Sequence, residues 1–243
     1  MKKSTGYTKN NTKEDRRHFI ARGLKITVAT GIIGTSLLTA CGSEEEEKEV
    51  SPPEDLMQEH GLLNRILLIY DHCRIKLTDK ESFPIEMLES AAGIVRVFVE
   101  DYHEKQEEDY LFPRFKKAHQ LEGLVDTLLN QHQAGRWLTD QIMQLSKSTS
   151  ASEGERQQLL QALTSFNYMY RPHEAREDTV LFPAFRKIVS QNEYDSLGEE
   201  FEKNEHKRFG KDGFDTMVDK VAGIEKVLDI YELSQFTPPT ATS

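Results

Sequence analysis

A fifteen-residue stretch occurs twice in the chain, seventy positions apart and without a gap: 103–117 reads HEKQEEDYLFPRFKK and 173–187 reads HEAREDTVLFPAFRK. The shared skeleton is H-E-x-x-E-[ED]-x-x-L-F-P-x-F-x-K. On a helix, residues four apart point the same way, so each copy aims one imidazole and one carboxylate at a common spot: His103 with Glu107, and His173 with Glu177. A His and a Glu so placed on a bundle helix can be two ligands of one metal. Two copies predict two metals, or one binuclear centre on a pseudo-twofold axis.

The rest of the chain supplies a scaffold for such a centre. From Glu54 onward apolar residues recur every three and four positions, and breaks fall at Pro, Gly and Ser clusters, so the chain reads as all-α. Helices are expected at about 54–77, from 82–84 onward, at 120–145 and from 153. Their inward stripes run Leu56, His60, Leu63, Leu67, Tyr70; then Leu88, Ala92, Val95, Val99, His103, Glu107, Tyr110; then Leu121, Val125, Leu128, His132, Arg136, Thr139, Met143; then Leu159, Ala162, Phe166, Met169, His173, Glu177, Val180. Short connections make this an up-down-up-down four-helix bundle over 55–190. Further helices, near 193–207 and 214–233, form a C-terminal extension over 191–235, and 236–243 reads as a disordered tail.

Each of the four bundle helices carries one His in its inward stripe. A lone His on an apolar face is ordinarily a hydrogen-bonded core residue. Four of them, one per helix, with Glu107 and Glu177 at the +4 positions, are not, because a core carboxylate is costly unless it is paired or holds a metal. His60 and His103 lie 43 residues apart and His132 and His173 lie 41 apart, so the bundle reads as a duplicated helical hairpin.

The first forty residues differ in kind. They carry eight Lys/Arg against two acids, +6, so the chain's net −10 leaves −16 for the remainder. Ile26–Leu38 is apolar for about thirteen residues, too short for a bilayer crossing of about 20 but right for the core of an export signal. Arg16-Arg17 followed by Phe19 resembles a twin-arginine signal, and Leu38-Thr39-Ala40-Cys41 resembles a bacterial lipobox, which implies cleavage before Cys41 and lipidation of that residue. An uncleaved anchoring helix and a basic tail are the alternatives. On this reading 1–40 is a signal peptide, 41–54 an acidic, self-repelling linker, and the protein is lipid-anchored outside the cytoplasm, at the cell membrane or an outer membrane. The acidic body argues against nucleic acid as a partner. Cys73, without a partner once Cys41 is lipidated, is expected to be a small buried hydrophobe.

His60…His103-x-x-x-Glu107…His132…His173-x-x-x-Glu177 resembles the hemerythrin-like, HHE cation-binding domain. The resemblance implies that His60 and His103 bind one iron, that His132 and His173 bind the other, and that Glu107 and Glu177 bridge them beside an oxo or hydroxo group. Zinc and manganese accept the same ligand types. The sequence departs from the oxygen carriers of this family in two places. Arg136 stands where they have a further His, and the second bridging carboxylate is a Glu at +4 rather than an Asp at +5. That departure leaves two near-equivalent irons and moves the expectation from oxygen storage toward binding or sensing of dioxygen, peroxide or nitric oxide. The alternatives are an enzyme that removes peroxide or reduces nitric oxide, and a non-redox metal-holding bundle. The chain has no C-x-x-C-H, cysteine cluster or nucleotide loop, so turnover other than peroxide disproportionation calls for an electron donor.

Three residues are candidates for the position that Arg136 leaves unfilled. Tyr110 is a further ligand or a core Tyr bonded to a bridging Glu; His206 reaches in from the extension or lies at the surface; Arg136 itself pairs with a nearby carboxylate or closes the pocket. His18, His72 and His119 fall outside the inward stripes and are expected in solvent.

Overall fold

A computed structural model of the protein describes residues 51–147 and 152–239. The signal, the lipobox with Cys41, residues 41–50 of the linker and the last four residues of the tail lie outside the described residues. Among those described there is no strand, and no helix is long and apolar enough to cross a membrane.

Helix α1 spans Pro52–Thr78. It begins inside the expected linker: the Ser51 amide donates to Glu54 Oε2 at 3.0 Å, half of a capping box, and Pro52 occupies a first-turn position where its missing N–H costs nothing. Helix α2 is continuous over 85–117 but changes pitch. It is α over Ile85–Ile94, π over Val95–His103, α over Glu104–Gln106, π over Glu107–Leu111 and α over Phe112–Lys117. Helix α3 spans Glu122–Leu145. Helix α4 runs over 153–188, with Glu153–Arg176 α, Glu177–Leu181 π and Phe182–Ile188 α. Ser152 caps it, accepting from the Glu155 amide at 3.3 Å.

Helix α4 packs on α1 and α3, and α2 packs on the same two, which closes the four-helix bundle. Helices α5, Gln191–Phe209, and α6, Gly213–Val227, cover it, with α6 lying on α1 and α2. The extension is shorter than its pattern suggests: α6 stops at Val227, and Asp229 takes a left-handed φ of 55°.

Two apolar clusters are built from the stripes. The larger gathers Leu63, Ile66, Tyr70, Phe98, Leu163 and Phe166 with Met217 and Val221 of α6. The smaller gathers Leu111, Phe112, Phe115, Leu181, Phe182 and Phe185, the L-F-P-x-F residues of both repeats, with Leu197 and Phe201 of α5. Each fully buried Leu or Phe contributes about 1.5–3 kcal/mol. Three residues leave their expected stripes. Leu121 has a left-handed φ of 51° at the start of α3 and is 37 % exposed, Val180 is 38 % exposed, and Tyr110 is half-buried against α5.

Candidate metal centre

The six expected ligands meet between the two clusters. His60, His103 and Glu107 bring one donor atom each to within 4.8 Å of one another, and His132, His173 and Glu177 do the same; all six residues are buried. The carboxylates cross between the two groups. Glu107 Oε2 lies 3.8 Å from His103 Nε2 and 3.4 Å from His132 Nε2, whereas Glu177 Oε2 lies 3.1 Å from His173 Nε2 and 3.3 Å from His60 Nε2. Each Glu therefore faces one imidazole of each group.

Every outer ring nitrogen is held by an acceptor from another helix. His60 Nδ1 meets Asp178 at 2.7 Å, His103 Nδ1 meets Glu59 at 2.8 Å, His132 Nδ1 meets Glu108 at 3.0 Å and His173 Nδ1 meets Gln131 at 2.9 Å. Three of these acceptors are carboxylates, which can only accept, and the fourth is the amide oxygen of Gln131, so each ring places an N–H on Nδ1 and turns Nε2 inward. Two phenylalanines fix the ring planes from outside: Phe182 stacks on His60 at 5.6 Å and Phe112 on His132 at 5.5 Å. These are the Phe residues of the two L-F-P turns, each serving the other half of the bundle.

The interior is short of positive charge. Both oxygens of Glu107 and of Glu177, and Nε2 of His132, are buried without a hydrogen-bond partner. Burial and the like charge of Glu177 push the Glu107 carboxyl well above the usual carboxylate range. Burial works the same way on Glu177, but His173 and His60 hold it well below that range. Burial lowers His132 to about 4. Burial also works to lower His60, yet Asp178 and Glu177 raise it well above the ordinary imidazole value. Orphaned buried carboxylates beside inward-facing imidazole nitrogens fit a bound cation, which would satisfy both.

The residue at +4 from each single-helix His follows the same twofold pattern. Asn64 Nδ2 donates to Glu174 Oε2 at 2.5 Å, and Arg136 Nη2 forms an ion pair with Glu104 Oε2 at 2.7 Å. Arg136 also reaches Glu108 Oε1 at 2.6 Å. Glu104, Glu108 and His132 would otherwise form a third group of donors, and the guanidinium stands among them in place of a cation. Burial opposes ionisation of Glu108, but His132, Lys105 and Arg136 together hold it at about 2.

The other candidates lie elsewhere. Tyr110 packs edge-on to Phe201, its hydroxyl accepting from Asn204 Nδ2 at 3.2 Å, so it braces α5. The expectation that it lies over Glu107 assumed α pitch, but 107–111 is a π turn, which takes more residues per turn, and Leu111 points inward instead. His206 is half-buried on α5 and is not among the donors gathered into any group. His119 is exposed beside Glu122, and His72 is half-buried rather than in solvent. Cys73 is free and fully buried, and burial pushes its thiol up to about 12.

Sequence reasoning assigned no role to Glu59, Glu108, Gln131 or Asp178. The signal was present, since each is the immediate neighbour of a ligand and two are the [ED] of the repeat. What was missing was the other helix, because each holds a ring that its own helix does not carry.

Bundle and site together define a helical protein with a cation-binding centre of His and Glu. Compared with known families, the chain matches the hemerythrin HHE cation binding domain over residues 51–185, and it belongs to that family. It is also 42 % identical over 237 residues to uncharacterized proteins of Mycobacterium bovis and Mycobacterium tuberculosis, covering 92 % of this chain and 91 % of theirs. No solved structure matches the chain.

Proposed function

We propose that the protein is a non-haem di-iron member of this family that binds or senses dioxygen or a related small ligand such as peroxide or nitric oxide. One observation carries the reading: each buried carboxylate, with both oxygens unpartnered, lies between an imidazole of one group and an imidazole of the other. That is the arrangement of a bridging ligand. On this reading His60 and His103 hold one ion, His132 and His173 hold the other, and Glu107 and Glu177 span them. Imidazole and carboxylate donors suit iron. Iron held by these residues would supply the redox chemistry and the affinity for a small ligand.

The chain's own residues do the rest. Asp178, Glu59, Glu108 and Gln131 fix the ring orientations and keep Nε2 available. Phe112 and Phe182 keep water from the rings, and Arg136 neutralises Glu104 and Glu108 beside His132. The same proposal places the protein outside the cytoplasm, lipidated at Cys41, on the strength of Arg16-Arg17 and Leu38–Cys41.

The test is the metal content and visible spectrum of the iron-loaded chain, reduced and then exposed to dioxygen or peroxide. Two irons per chain and a new visible band on exposure are expected. Glu107→Ala and Glu177→Ala should each lose binuclear loading, and retention of two irons in either would overturn the bridging assignment. Rapid peroxide loss with gas evolution would replace binding by turnover. Globomycin should make the unprocessed precursor accumulate, and normal maturation would remove the lipid anchor.

A further inference from the structure

The pseudo-twofold axis makes the two halves of the centre comparable residue by residue. His60 corresponds to His132 and His103 to His173, so Glu59 corresponds to Gln131, Asn64 to Arg136 and Asp178 to Glu108. Two of these three surrounding pairs differ in charge. Glu59 accepts from His103 as a carboxylate at 2.8 Å, whereas Gln131 accepts from His173 as a neutral amide at 2.9 Å. Asn64 donates to Glu174 without charge, whereas Arg136 brings a guanidinium to Glu104 and Glu108. Each difference makes the His132–His173 side more positive by one unit, and nothing at the third pair cancels it.

The third pair reinforces the bias. Asp178 and Glu108 are both carboxylates on a ligand's outer nitrogen, but Glu108 is shared with the Arg136 guanidinium and the Lys105 ammonium. The negative charge it lends to His132 is correspondingly reduced. His60 and His103 are thus each backed by a carboxylate, while His132 is backed by a largely neutralised one and His173 by an amide.

A carboxylate on the outer N–H of a ligating imidazole raises the basicity of the inner nitrogen, and changing such a partner alters metal affinity by about 10–100-fold. Nearby fixed cations lower affinity for a further cation through unscreened charge in a buried site. We propose that the two halves are unequal metal subsites: the His60–His103 side fills first and holds its ion more tightly, and the His132–His173 side fills second and releases its ion first. Gln131 and Arg136 are the positioning residues that set the difference. The inference rests on the binuclear reading, and it replaces the near-equivalence expected from the departure at Arg136.

The test is a titration of the metal-free, full-length chain in detergent with cobalt(II), followed by calorimetry and the visible ligand-field band. Two ions should bind in two steps, the first about 10-fold or more tighter. Gln131→Glu should tighten the second step about 10-fold and leave the first in place. Glu59→Gln should weaken the first step by a similar factor and leave the second in place, so that in both variants the steps merge. Far-UV circular dichroism establishes that each variant is folded before titration. If Gln131→Glu does not fold, Arg136→Gln provides an independent route to the same result, a tighter second step. Two ions bound in one indistinguishable step by the unaltered chain would overturn the inference alone. So would an unmoved second step in both Gln131→Glu and Arg136→Gln. Fewer than two ions per chain would remove the binuclear reading and this inference with it.

Discussion

Glu104 and Glu174 occupy the second position of the two repeated stretches, and both are buried, with burial pushing each carboxyl up to about 8. Arg136 offsets part of that penalty at Glu104, whereas Glu174 has no such cation in contact: His60 and the neutral amide of Asn64 lower it. A folded carboxyl that keeps its proton to about 8, against an ordinary value of 4.5, favours folding below 4.5 and loses that contribution as pH rises from 4.5 to 8. Glu174→Gln should therefore flatten the decline of stability over this window. In thermal melts of metal-free protein the variant should match the parent near pH 4.5 and melt several degrees higher at pH 8; equal melting temperatures at both would contradict the shift. Gly135 makes a second local case. A Cβ there would lie 2.0 Å from the Tyr170 hydroxyl, which donates to Glu104 Oε1 at 2.7 Å. Gly135→Ala must displace that ring and should cost about 1–3 kcal/mol in denaturant unfolding despite Ala's better helix propensity.

The pitch of α2 and α4 accounts for which parts of the site could be read from sequence. Val95, Val99, His103, Glu107, Leu111 and Phe115 all point inward at a strict spacing of four, as do His173, Glu177, Leu181 and Phe185. On an ideal α-helix each four-residue step overshoots a full turn by about 40°, so such a row would wind off the core. The π turns remove the drift. The ligands were legible because one His-to-Glu step tolerates the error. Tyr110 and Val180 were misplaced because the error accumulates within the following turn. Pro113 and Pro183 sit just after the second and third π segments, and each lacks the N–H that an α turn would use there. Restoring that donor with Pro113→Ala should let the turn close as α and rotate Glu107 relative to Leu111. The metal-free form should become more stable by up to about 3 kcal/mol, while cobalt(II) affinity falls. Opposite signs in unfolding and titration experiments are the signature, and affinity unchanged beside higher stability would show that the π turn does not position Glu107.

The molecule as a whole is a duplicated hairpin whose halves complete each other. Glu59 and Gln131 hold rings on the following helix, Asp178 and Glu108 hold rings of the opposite hairpin, and each repeat's Phe stacks on the other half's His. One hairpin alone would keep the contact of Glu59 with His103, or of Gln131 with His173, but lose the carboxylate and the Phe that the other half supplies, which is why periodicity revealed the helices and the donors but not what orients them. The same arrangement concentrates the cost of folding at the centre, where Glu107 and Glu177 are buried with no hydrogen-bond partner for either oxygen. A cation that binds only the folded form offsets that cost by mass action, about 2.7 kcal/mol for each site at a free concentration one hundred times its dissociation constant. For a domain of this size each kcal/mol moves the melting temperature by about 2–4 °C, so each filled site should raise it by about 5–11 °C. Chelation should reverse the gain. Acid should do so as well, because protons compete with the metal for the ligands, and His60, which Asp178 and Glu177 raise well above the ordinary imidazole value against the lowering effect of burial, takes one up readily. Differential scanning calorimetry with and without metal, at pH 7.5 and at pH 5, measures all of this together. A melting temperature indifferent to metal at pH 7.5 would mean that the four imidazoles and two carboxylates are a packed polar core rather than a binding site.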